Sequence, residues 1–208
     1  MINVLFFDIG YTLVNENAAW EMRCREQAAT AEAKALGLAA GDIYRKIEEA
    51  SRTGTGQFRA ALNKLQINEV APYRHELETL YSDVPCVLKA LSLKYELGII
   101  ANQSDGLLER LDGWDILQYF KHVISSFDVK ISKPDVRIFE HALNSANCPS
   151  ENACMIGDRL DNDIAPAKTI GMKTVWIRQG FGALQQPSCA AYAPDNTIDR
   201  LSDLLLIF

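Results

Sequence analysis

Apolar positions recur along the chain in two periods, and the change from one to the other divides it. The opening run VLFF, Val4 to Phe7, is a continuous apolar stretch of strand formers that stops at Asp8 and reads as a buried strand. From about Asn17 to Tyr81 the period is helical and no segment reads as a strand. Trp20, Cys24, Ala28, Ala31 and Ala35 follow one another at three and four residues until Gly37 and Gly41 break the run. Asp42 is placed to cap a short helix carrying Ile43 and Ile47. Phe58, Leu62 and Leu65 form another stripe, and Tyr73, Leu77 and Leu80 a fourth after Pro72. Core packing accounts for nearly all of these stripes.

After Ser82 helices and short apolar strands alternate. Pro85 suits the first turn of a helix with Val87, Leu88 and Leu91, and LGIIAN reads as a buried strand ending in a polar turn. HVISS is a strand, PDVRIFEHALNSA a helix with Pro134 near its start, and ACMIGD a strand ending in acid. IAPAKTIG is a helix closed by Gly171, KTVWI a strand, NTI a short strand and LSDLLLIF a last helix. Such alternation predicts an α/β fold, a doubly wound parallel sheet with helices on both faces, because parallel neighbours need crossover connections. Ligands bind such sheets outside the carboxyl ends of the strands.

Four strand ends carry polar groups: Asp8, Asn102, Lys133 just beyond HVISS, and Asp158 with Asp161 and Asp163. On adjacent strands Asp8 and Asp158 converge with one lysine between them. Carboxylates do not share a small cleft ionised without a cation, and an all-oxygen set suits Mg²⁺. A metal beside a lysine is a site for phosphoryl oxygens. Asp161 and Asn162 read as a cap or solvated turn, and Tyr11, Trp114 and Trp176 as core or interface aromatics.

Composition narrows the partners. The chain has 208 residues, 48% of them hydrophobic and 23% charged, with a net charge of -6. That is a globular composition, and its scattered Lys and Arg offer no footprint for nucleic acid. No apolar run approaches the roughly 18 residues of a membrane span, and the opening lacks the features of a signal peptide. A cytoplasmic protein without a membrane or nucleic-acid partner is expected, either monomer or weak dimer. Cys24, Cys86, Cys148, Cys154 and Cys189 form no metal-ligand spacing and an odd count, so reduced thiols are expected. His75, His122 and His141 sit at unrelated places and suit surface or helix-face roles.

The motifs FFDIGYT, GIIANQ, KPDVRIF and MIGDRLDND, in that order on strand ends, resemble those of the haloacid dehalogenase superfamily. The resemblance covers residues 1–14 and 83–208 as a Rossmann-like core, and residues 15–82 fall where that family inserts a small helical cap of type 1. It implies a Mg²⁺-dependent phosphatase working on a small phosphorylated metabolite, with Asp8 as nucleophile forming an aspartyl-phosphate and Lys133 neutralising nucleophile and phosphate. Asp8, the Gly10 carbonyl, Asp158 and Asp163 would form the metal set, Asp163 through water or as an orienter. Asn102, Gln103, Thr12 and Lys133 would form the substrate set, with Thr12 fixing the loop after the nucleophile. Gly157 would permit the turn that aims Asp158.

Two positions depart from the family pattern. Gly10 and Tyr11 stand where most phosphatases of the family have a second aspartate and a glycine, so the usual general acid/base is missing, a contribution typically of about 10²- to 10⁴-fold. Ala101 replaces the usual hydroxyl before Asn102, leaving backbone N–H groups at Asn102 and Gln103, or Ser104, to meet phosphate. Three readings stay open: a weakened hydrolase suited to good leaving groups; a dehalogenase-type hydrolase, against which the retained GDRLDND weighs; and a non-catalytic phosphometabolite- or protein-binding module. The hydrolase reading leads.

Overall fold

The computed structural model describes residues 1–54, 57–187, 189–190 and 193–208. Its main sheet has six strands in the order β5-β4-β1-β6-β7-β8, every neighbouring pair parallel. These are β1 (Val4–Phe7), β4 (Glu96–Ala101), β5 (Phe120–Ser125), β6 (Ala153–Gly157), β7 (Lys173–Ile177) and β8 (Asn196–Ile198). The chain runs outward from β1 through β4 to β5, then returns to β6 on the other side of β1. The strand order therefore switches at β1, which opens a crevice at its carboxyl end.

Alternation along β1 places Leu5 and Phe7 on one face and Val4 and Phe6 on the other. Leu5 and Phe7 pack with Val84, Val87, Leu88 and Leu91 of α5 (Val84–Ser92) and with Leu201 and Leu204. Val4 and Phe6 pack with Ile138 and Phe139 of α8 (Val136–Ser145) and with Ala167 of α9 (Ala165–Thr169). With both faces covered, an uninterrupted apolar run is what β1 requires. α6 (Leu107–Gly113) precedes β5 and packs on the Leu5 and Phe7 face, and the short α7 (Ser126–Val129) follows β5, with Val129 on the Val4 and Phe6 face.

Between β1 and α5 the chain leaves the sheet. α1 (Asn17–Ala28), α2 (Ala31–Ala35), α3 (Ala40–Arg52) and α4 (Gln57–Lys64) gather around Trp20, Cys24, Ile43, Ile47, Phe58 and Leu62. Two core residues enter this cluster, Tyr11 and Phe181. The Phe181 ring lies edge-on to Trp20 at 5.4 Å and to Tyr11 at 5.9 Å.

Several local expectations are corrected. The region to Tyr81 does contain a strand: β3 (Thr79–Leu80) pairs antiparallel with β2 (Val14–Asn15), Val14 opposite Leu80. The Tyr73, Leu77, Leu80 stripe is accordingly no helix but one turn, His75–Leu77, followed by β3, because pairing with the outgoing chain overrides local period. The first stripe is broken after Ala28, where the Thr30 hydroxyl accepts the Ala33 N–H at 3.3 Å and starts α2. Asp42 does not precede its helix: it lies in the first turn, and its carboxylate accepts the Ala39 N–H at 2.8 Å. Pro134 lies ahead of α8, which Asp135 caps by accepting the Arg137 N–H at 3.0 Å. The last segment, Leu201–Leu206, is a 3₁₀ helix. No helix among the described residues is long and apolar enough to cross a membrane.

Candidate active site

β1 and β6 are neighbours in register, with Phe7 opposite Ile156, and the Asp8 N–H donates to the Ile156 carbonyl at 2.9 Å. Asp8 and Asp158 therefore emerge side by side at the switch point. A π-type turn, Leu160–Ile164, brings Asp163 back toward them. Carboxylate oxygens of Asp8, Asp158 and Asp163 all lie within 4.8 Å of one another.

Lys133 reaches this cluster from beyond β5. Its ammonium donates to Asp8 at 2.6 Å and to Asp163 at 2.5 Å, and its backbone is held by Asn102. The Asn102 side chain donates to the Lys133 carbonyl and accepts the Lys133 N–H, both at 2.8 Å. Burial works against the charged ammonium, but Asp163 and Asp8 outweigh it and hold the pKa of Lys133 above its ordinary value. One lysine does not balance three acids. Burial first, then Asp163 and Asp8, raise Asp158 well above a usual carboxylate, and burial raises Asp163 to about 6 despite Lys133.

No described residue donates a hydrogen bond to the Asp158 carboxylate, although Asp158 is only 3% exposed. A carboxylate buried beside two others calls for a cation to balance their charge. An all-oxygen donor set of this kind fits Mg²⁺.

Asp8, Gly10, Asn102, Gln103, Lys133, Asp158 and Asp163 line one cavity of about 160 Å³. Thr12 is not in its wall; it is fully buried, and its hydroxyl has no partner among the described residues. The Gln103 N–H is already donated to Ser126 at 3.1 Å, and Ser104 bonds His75 at 2.9 Å. Gly157 has an ordinary backbone and is needed for room: a β-carbon there would stand 2.5 Å from Asp163. Close packing of Asp163, rather than a turn, requires that glycine.

Glu16, Gln57 and Arg159, which sequence reasoning passed over, complete the wall with Tyr11 and Trp20, read from sequence as packing aromatics, and Asn162, read as a cap or solvated turn. Glu16 lies at the start of α1, where the Trp20 indole donates to its Oε2 at 3.0 Å. Burial pushes its carboxyl up to about 7, against hydrogen bonds from Trp20 and Tyr73, with Glu78 and Asp8 adding to the rise. Arg159 is ion-paired with Asp161, whose carboxylate also accepts from Gln185 at 2.6 Å. Trp176, expected as a core aromatic, donates its indole N–H to the Asp158 carbonyl at 2.7 Å and so fixes that loop. An acid directly ahead of a helix was the one available signal for Glu16, and it is a common one.

A family model described as haloacid dehalogenase-like hydrolase matches residues 5–177. A glyceraldehyde 3-phosphate phosphatase from Pyrococcus abyssi is 31% identical over an alignment covering 100% of this chain and 94% of its own. Among solved structures, a HAD phosphatase from Thermococcus onnurineus superposes with a TM-score of 0.69 at 23% identity, covering 100% of this chain and 97% of its own. A 2-haloacid dehalogenase from Pseudomonas syringae pv. Tomato gives 0.64 at 24% identity, covering 100% and 98%. Both share the fold.

Proposed function

This chain belongs to the haloacid dehalogenase-like hydrolase family, and we propose that within it the protein is a phosphatase that cleaves small phosphate esters through an aspartyl-phosphate on Asp8. The observation that carries this reading is the meeting of three carboxylates within 4.8 Å beside a buried lysine that touches two of them. Asp8 attacks phosphorus; Lys133 hydrogen-bonds Asp8 and offsets phosphate charge; Asn102 holds Lys133 in place. Mg²⁺ held by Asp8, Asp158 and the Gly10 carbonyl, with Asp163 behind them, would supply positive charge against the repulsion between nucleophile and phosphate. Arg159 and Asn162 stand at the cavity wall, available to polar groups of the substrate.

The cavity, about 160 Å³, favours an ester with a short carbon skeleton, in keeping with the glyceraldehyde 3-phosphate phosphatase similar to this chain. Residues 15–82 act in this reading as a cap, joined to the core through the β2/β3 ribbon. Dehalogenation of this type needs no Mg²⁺, so the retained GDRLDND makes that reading the weaker.

The test is a screen of phosphate esters with Mg²⁺ and with chelator, on the wild type and on Asp8→Asn. Mg²⁺-dependent phosphate release by the wild type, lost in Asp8→Asn, is expected. A wild type that binds phosphorylated metabolites but turns over none of them would replace this reading with a binding module.

A further inference from the structure

Gly10 has no side chain, yet a carboxyl group occupies the space that one would enter. A β-carbon built on Gly10 would stand 2.5 Å from Oε1 of Glu16 and 2.8 Å from its carboxyl carbon. The backbone of Gly10 lies outside the left-handed region, so conformation does not demand a glycine there; a side chain would instead have to displace the Glu16 carboxyl. Glu16 faces the same cavity as Asp8, Lys133 and Asp158. Its Oε2 is held by Trp20, and the Tyr73 hydroxyl stands within hydrogen-bonding reach of the same carboxyl. The carboxyl is thus positioned from the helical segment while it lines the cavity that holds Asp8.

Resting on the phosphatase reading above, we propose that Glu16 is the catalytic acid and base of this enzyme, supplying from the start of α1 the carboxyl that position 10 lacks. As Asp8 bonds to phosphorus, the bond from phosphorus to the ester oxygen breaks, and that oxygen keeps the electron pair and takes the proton of the Glu16 carboxyl. A water oxygen then bonds to phosphorus and gives its proton to the Glu16 carboxylate. The bond to Asp8 breaks, its electron pair returns to the Asp8 carboxylate, and Glu16 is protonated as it began. A purely structural Glu16 would serve only to accept the Trp20 indole bond, and a glutamine carbonyl can do that equally well.

Glu16→Gln therefore separates the two roles. With Mg²⁺ and glycerol 3-phosphate its kcat should fall by about 10²- to 10⁴-fold, while its melting temperature stays near that of the wild type. With p-nitrophenyl phosphate, whose leaving group needs no proton, it should release about one equivalent of nitrophenol per enzyme in a burst and then slow, since water still lacks its base. Intact-mass measurement should then find one added phosphoryl group. The double variant Gly10→Asp/Glu16→Ala, which moves the carboxyl into the vacated space, should regain at least about tenfold in glycerol 3-phosphate turnover over Glu16→Ala.

Wild-type turnover of glycerol 3-phosphate by Glu16→Gln, or an equal fall on both esters without a burst, overturns the proposal. A wild type inert toward every ester is a different outcome: it removes the phosphatase reading and this inference with it.

Discussion

The Lys133 ammonium lies 2.5 Å from Asp163 as well as 2.6 Å from Asp8, so one buried cation ties the end of β1 to the acidic turn after β6. Removing one member of a buried, hydrogen-bonded pair costs about 3–5 kcal/mol, because the partner stays behind unpaired. Lys133→Met should lose about that much stability in chelator, read by urea unfolding, and its kcat should fall by at least about 10²-fold. Unchanged unfolding in chelator would mean that the pair does not exist in solution.

The acids of the site give a stability that depends on pH in an unusual direction. Asp163 is raised from 3.8 to about 6, Glu16 from 4.5 to about 7, and Asp158 is raised as well. Each binds its proton more tightly folded than unfolded, so its contribution is intact below about pH 4 and is lost as pH climbs through the folded values. In chelator the melting temperature should fall between about pH 4.5 and 7, and Mg²⁺ should raise it most at the upper end. Asp158→Asn should flatten the slope. A chelated protein that gains stability across that window would contradict the account.

Trp176 donates to the Asp158 carbonyl at 2.7 Å from a buried position. Trp176→Phe keeps a ring and leaves that carbonyl unsatisfied, at a cost of about 1–3 kcal/mol. Since the same bond orients Asp158, a carboxylate of the proposed metal set, Mg²⁺ affinity should drop by about 10- to 100-fold, measured by titration calorimetry. Equal affinities would assign the tryptophan to packing alone.

Phe181 is a core residue buried among rings of the helical segment, 5.4 Å from Trp20 and 5.2 Å from Tyr44. Phe181→Ala should cost about 3–5 kcal/mol and make residues 15–82 cleave faster under limited proteolysis, with Phe181→Leu intermediate. A digestion rate unchanged in Phe181→Ala would show that this ring does not hold the segment to the core.

The alternation after Ser82 was legible because each strand is apolar throughout and each helix keeps its period, and both patterns reflect burial on known faces. Asp8, Asn102, Lys133 and Asp158 were legible for a related reason: each ends or follows such a strand, where a parallel sheet exposes its polar groups. The antiparallel pair Val14–Asn15 with Thr79–Leu80 was not, since two residues carry no period and their partner lies more than sixty positions away. Asp42 was misplaced by a few residues, because an acid satisfies a free backbone N–H equally from the cap or from the first turn.

The chain's order of apolar runs alone determines a parallel sheet, its helical insertion and the acids at its edge, for these depend on local period and on the backbone's need to be covered. Which carboxyl fills the space beside Gly10, which two acids share Lys133, and why Gly157 must be a glycine depend on distances between segments remote in sequence. The tertiary structure decided these, because a missing side chain at one position leaves a volume that only a neighbour in space can fill, and Glu16 fills it.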